Sequence, residues 1–290
     1  MTSSKTALAC VGLLLVLQLG CRGTNVLPDT EEARRLAADL RLQLHKASDA
    51  SNQAVMAQTD EASTSSSRAA QKATALVDTD ALALGPLLQK LRFSREAQSL
   101  EEFKRHFSQY ESLDRQILAL AVENTNLKAQ HLSFDPAREA ADAFRDSVTS
   151  AVANIGGKDN CRARELGQTA ILALREIQVL QAPHIAEADD AAMSRLEQEM
   201  TSLDRRAREA LETLSALTEA SSRATLDSAL ASLNKFHDIS RQIVSLSRTN
   251  SNVRSLSLSL RDKPPLLGAC DENLNALQQA LASEGALPER

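Results

Sequence analysis

The chain has 290 residues, 43% of them hydrophobic and 24% charged, with only 2% aromatic and no Trp. That poverty in strand-favouring aromatics, set against an abundance of Ala, Leu and Ser, argues for closely spaced helices over a sheet. A formal net charge of −5 with no basic stripe argues against nucleic acid as a partner.

The first element is an export signal. Lys5 is a weak positive n-region, and Ala7 to Leu19 is an apolar run of h-region length, short for a membrane span. Gly20-Cys21 then resembles a bacterial lipobox, in which the Cys is lipidated and becomes the new N-terminus. The position three before Cys21 holds Gln18 where Leu is usual, between Leu17 and Leu19. The alternative is ordinary signal-peptidase cleavage near Gly23. The expected layout is a signal peptide over 1–20, a tether over 21–28 and a helical bundle over 29–290. The mature chain is expected in the bacterial cell envelope, held by lipid at the periplasmic face. Arg22, in place of the Asp that retains lipoproteins in the inner membrane, favours the outer one. Cys10 and Cys21 belong to the leader, which leaves Cys161 and Cys270. In an oxidising compartment these invite a disulfide, with two isolated buried thiols as the alternative. They are too few for a zinc site.

Helix one is expected from a cap at Asp29 or Thr30, with Glu31 and Glu32 in its first turn, to about Val77. Ala62, Ser66, Ala69, Ala73 and Leu76 form a seam of small residues along it. Residues 78–95, with Gly85-Pro86, read as a turn region that contains a short helix. Helix two carries the stripe Phe103, Phe107, Tyr110, Leu113, Ile117, Leu120, Asn124 and Leu127, and restarts after Pro136 to Val152. Asn154 to Asn160, with Gly156-Gly157, is a full turn. Helix three runs from Cys161 to Leu217, kinked at Pro183, and holds a three-four alternation from Met193 to Leu217. After a turn at Ser221-Ser222, helix four repeats the stripe as Ala229, Leu233, Phe236, Ile239, Ile243, Leu246, Asn250 and Val253. It breaks at Pro264-Pro265 and resumes to about Leu281. The predicted fold is all-α: an elongated antiparallel four-helix bundle made of hairpins 29–155 and 160–285, kinked near Pro136, Pro183 and Pro264. A coiled-coil-like homodimer is the competing arrangement.

Those two stripes belong to an internal repeat with a constant offset of 126 residues. Asp114-Arg115-Gln116-Ile117 leading to Asn124-Thr125-Asn126-Leu127 matches Ser240-Arg241-Gln242-Ile243 leading to Asn250-Ser251-Asn252-Val253. Asn124 and Asn250 fall on the apolar stripes, at similar height on two helices. Buried Asn in a seam controls register; the functional reading is a polar pocket for a small ligand. Arg115 and Arg241 suit surface ion pairs, or, turned inward, bidentate capture of a carboxylate. The five His show no di-metal spacing, and there is no nucleophile elbow or phosphate loop. No catalysis, cofactor or metal is expected.

The segment from Ile177 to Leu180, then Glu187-Ala188-Asp189-Asp190, Met193, Leu196, Leu203 and Leu211, resembles the first long helix of the four-helix-bundle sensor domains of bacterial methyl-accepting chemotaxis receptors. The segment from Leu113 to Ser133, with Glu123-Asn124-Thr125-Asn126 and Ala129, resembles their second helix. The resemblance implies recognition of a small molecule, or of a loaded binding protein, outside the membrane. The chain to Arg290 shows no second membrane helix and no cytoplasmic signalling hairpin, so a detached sensor-type module is expected. The alternative is a structural or adaptor lipoprotein of the envelope without a small-molecule ligand.

Overall fold

The structure, a computed structural model, describes residues 26–219 and 223–284. The expected leader, the lipidation site Cys21 and the turn at Ser221-Ser222 lie outside the described residues. Within them every regular element is helical and there is no strand. In chain order they are α1 (Val26–Val55), α2 (Asp60–Leu91), α3 (Ser94–Glu123), α4 (Thr125–Leu132), α5 (Arg138–Ala153), α6 (Asn160–Ala186), α7 (Asp190–Ala216), α8 (Arg223–Thr249), α9 (Ser251–Ser257) and α10 (Lys263–Ser283). Two π-helical turns, Ser133–Ala137 and Leu258–Asp262, precede α5 and α10.

The boundaries differ from expectation where a polar cap replaces Gly or Pro. Residues 26–91 form two helices, not one helix ending at Val77. After α1, Thr59 Oγ1 accepts the Ala62 N–H at 3.1 Å, and Asp60 and Glu61 occupy the first turn of α2. Gly85-Pro86 does not interrupt α2, which continues to Leu91; the chain turns at Arg92, whose φ is 60°. Helix three is likewise two helices. Asp189 accepts the Ala192 N–H at 2.7 Å and starts α7 afresh. Pro183 lies inside α6, close to its end. Pro264 and Pro265 sit in the first turn of α10, directly after the π turn Leu258–Asp262, so the expected helix break does not occur there. Asp29 lies inside the first turn of α1 and does not cap it.

The chain divides into two compact units. Among the described residues, the first holds α1 to Asp49, α2 from Ala69, α3 to Ser112, and α10 from Pro264. Its core includes Leu40, Leu44, Leu84, Leu88, Phe103, Tyr110, Leu274 and Leu277. Phe103, Phe107 and Tyr110 stack at centroid spacings of 5.5 and 6.0 Å. Arg34 Nε donates to the Leu281 carbonyl at 3.1 Å, and Gln278 Nε2 to that of Ala37 at 3.1 Å. These bonds tie α10 to α1. The second unit holds residues 50–68 and 113–263. Here α6 packs on α7, and α5 on both α6 and α8. Phe144, Val148, Leu174, Ile177, Leu214, Leu233, Phe236 and Ile243 fill its core.

The repeat is visible in the elements. α3 ends at Glu123 and α8 at Thr249; α4 and α9 each follow after a single Asn; each is followed by a π turn and a terminal helix. The last helix of each copy packs with the other copy's helices: α5 joins α6 and α8, and α10 joins α1, α2 and α3.

Candidate functional site

Three polar features of the second unit arise from the helices themselves. The first is the pair of helix breaks. Asn124 (φ 51°) and Asn250 (φ 54°) are left-handed, a conformation that Asn tolerates better than most side chains do. A new helix after each break begins with amide groups that lack intrahelical acceptors. The two copies satisfy one another. Thr125 N–H donates to Ser251 Oγ at 3.1 Å and Ser251 N–H to Thr125 Oγ1 at 3.0 Å. Asn126 N–H donates to Asn252 Oδ1 at 3.1 Å and Asn252 N–H to Asn126 Oδ1 at 3.2 Å. Side-chain amides extend the lattice: Asn126 Nδ2 to Asn250 Oδ1 at 2.8 Å, and Asn252 Nδ2 to Asn124 Oδ1 at 3.0 Å. Asn250 Nδ2 reaches the Glu187 carbonyl at 2.8 Å, and Asn126 Nδ2 that of Ile185 at 2.6 Å. Asn124 and Asn250 thus meet through Asn252 and Asn126, and their amides are spent on the protein.

The second feature is a cleft of about 340 Å³ in the same unit. Ile177, Met200, Phe236 and Val244 supply its apolar wall, and Glu197, Asp204, His237 and Arg241 its ionisable groups. Glu197 accepts Arg248 Nε at 2.6 Å and pairs with the fully buried His184 Nε2 at 2.8 Å. The hydrogen bond from Arg248 holds the Glu197 carboxyl below its usual range, against the desolvation that opposes it; His184 adds to the lowering. Asp204 takes Arg208 Nε at 2.9 Å, and its other oxygen lies 3.5 Å from His237 Nδ1. Arg241 is exposed and has no hydrogen-bond or ion-pair partner among the described residues. Arg248 and Arg208 thus engage the two cleft carboxylates, Glu197 and Asp204, while the cleft-lining Arg241 has no partner among the described residues. Arg115, its counterpart in the first copy, is exposed too.

The third is a buried ion pair. Lys263 Nζ lies 3.7 Å from Asp114 Oδ1 and donates to Ser51 Oγ at 3.1 Å and Asn52 Oδ1 at 2.6 Å. Ser51 Oγ in turn donates to Asp114. Burial raises the Asp114 carboxyl, opposed by the Ser51 hydrogen bond and the Lys263 charge. At the matching positions the second copy has Ser240 for Asp114 and Ile177 for Ser51, and these line the cleft.

The Cys161–Cys270 disulfide expected from composition is not formed. Both are free thiols, Cys161 exposed in the second unit and Cys270 buried in the core of the first. Burial pushes the Cys270 thiol up to about 12, with Asp271 adding to the rise. Among the described residues no cluster of three His, Cys, Asp or Glu groups is placed to hold a metal ion, and no helix is long and apolar enough to cross a membrane.

From the repeat, Arg241 was a candidate for a surface ion pair or, turned inward, for carboxylate capture; it lies exposed on the cleft wall, away from the predicted pocket at Asn124 and Asn250. Sequence reasoning missed Glu197, Arg248 and His184, which carry no local motif. Thr125, Asn126, Ser251 and Asn252 stood in the repeat as marks of homology, next to the stripe residues Asn124 and Asn250; that they are polar in both copies was the available signal. Compared with known proteins, the chain matches no family model and no curated protein.

Proposed function

We propose that the chain is a non-enzymatic sensor-like module that binds a small anionic molecule in the cleft of its second unit. The observation that carries this reading is Arg241: a guanidinium without a partner among the described residues, on a cleft whose other charged groups are already engaged. A carboxylate would take the guanidinium bidentately, and an apolar body would lie on Met200, Phe236 and Val244. The reading includes an antiparallel four-helix arrangement of α5 to α8, supported by the packing of α6 on α7 and of α5 on α8. Bends at Pro136, Pro183 and Pro264, export, and lipid anchoring at Cys21 belong to the same proposal, the last two supported by the leader-like run before Gly20-Cys21.

Thermal unfolding against a panel of organic acids, amino acids and amines tests it. A ligand at a hundred times its dissociation constant adds about 2.7 kcal/mol. A selective rise in midpoint that Arg241→Ala removes is the expected result. A rise that is indifferent to Arg241→Ala would move the ligand elsewhere, and no rise with any compound would favour the adaptor reading.

A further inference from the structure

We infer that occupancy of the cleft is read out at the twin helix break, with Glu197 as the connecting group. The inference rests on the cleft being the ligand site.

Glu197 belongs to the cleft wall, yet both its side-chain partners lead away from it. Arg248 stands two residues before the left-handed Asn250. It spans Glu197 Oε1, Ser194 Oγ at 2.8 Å and the Asp190 carbonyl at 3.3 Å, so one guanidinium fastens the end of α8 to the first turns of α7. His184 lies in the last turn of α6, and the carbonyls that follow it, Ile185 and Glu187, accept from Asn126 and Asn250. The ends of α6 and α8 are thus each bound to Glu197 on one side and to the break on the other.

His184 is 0% exposed, and its Nδ1 has no hydrogen-bond partner, so Glu197 is the one acceptor or donor that its ring meets among the described residues. A bound anion near Glu197 repels the carboxylate and draws on the same guanidinium charge. Weakening the Glu197 tie leaves His184 buried without a partner and frees Arg248, which loosens the helix ends that position Asn250 and Asn126. The break has no continuous helix to fall back on: its amides are held by side chains of the opposite copy.

The test is amide hydrogen exchange on the full chain, read at Thr125, Asn126, Ser251 and Asn252. Glu197→Gln should speed exchange there by about tenfold or more, the change expected when one buried hydrogen bond is lost locally. Asp204→Asn, at the other cleft carboxylate, should not, and amides of α5 should report no general loosening in either variant. If Glu197→Gln folds poorly, Arg248→Gln carries the same expectation through one arm of the tie. Unchanged break amides in the folded variant overturn the inference. A second arm adds benzoate, a carboxylate with an apolar body. Altered exchange at both cleft and break supports the inference; a change confined to cleft amides of α7 and α8 overturns it and leaves the ligand reading standing. No change anywhere, together with no thermal shift from any compound of the panel, removes both.

Discussion

Replacing Asn124 by Leu separates a purely apolar seam from the bonded break found here. In a continuous helix, Leu on this stripe would extend the core and stabilise it. At φ 51° it does the opposite. A branched side chain in the left-handed region costs roughly 1–2 kcal/mol. The substitution also removes the bonds of Asn124 to Asp60 Oδ1 at 2.8 Å and to Asn252 Nδ2 at 3.0 Å. Asp60 is exposed and rehydrates; Asn252 is half-buried and does so less well, at a further cost of about 1–2 kcal/mol. The expected loss is about 2–4 kcal/mol. Asn124→Gly keeps the backbone without strain and should lose only the hydrogen-bond part, about 1–2 kcal/mol. Urea unfolding followed by circular dichroism reads both as a lowered midpoint. A neutral or stabilising Leu would refute the reasoning, because it would mean that the break is dispensable and α3 and α4 can fuse.

Three further outcomes follow from the same geometry. Lys263→Met alone should cost about 3–5 kcal/mol by leaving Asp114 buried without its cation, whereas Asp114→Asn with Lys263→Met should recover most of it in denaturant melts; equal losses would contradict the pairing. Gly167→Ala should destabilise despite the helix propensity of Ala, since its Cβ would meet Val152 Cγ2 at 2.8 Å and Val148 Cγ1 at 3.2 Å; in a Val152→Ala background the same change should stabilise, and a single variant that is already more stable would show the helices free to part. Because the Glu197 carboxyl is lowered from 4.5 in the folded state, its contribution to stability is complete above that pH and lost as pH falls through the lower folded value. Thermal midpoints of Glu197→Gln should therefore fall less than those of the parent below about pH 4.5, and parallel acid limbs would contradict the assignment.

The helical class and the repeat were legible because apolar spacing and a constant offset survive any tertiary arrangement. The number of long helices was not. Met56 to Thr59 and Glu187 to Asp189 interrupt the chain without Gly or Pro, and their signal is a cap, Thr59 or Asp189 followed by acidic residues, inside a run that otherwise reads as continuous. Gly85-Pro86 misled in the other direction, since α2 absorbs both residues. Asn124 and Asn250 were recognisable as polar residues on apolar stripes. Their left-handed backbone was not, nor was the exchange of bonds between copies, which depends on contacts 126 residues apart. Arg241 could be singled out, but its free state depends on Arg208 and Arg248 having already neutralised Asp204 and Glu197.

The claim that the second unit's cleft is a small-molecule site is tested most directly by filling it. Ser245 is exposed on the cleft wall, so Ser245→Trp should occupy the space without disturbing the core. Thermal midpoints of both proteins would be measured with and without whichever carboxylate most stabilises the parent chain. Midpoints should be equal without ligand, and ligand should raise that of the parent alone. An undiminished rise in Ser245→Trp would contradict it.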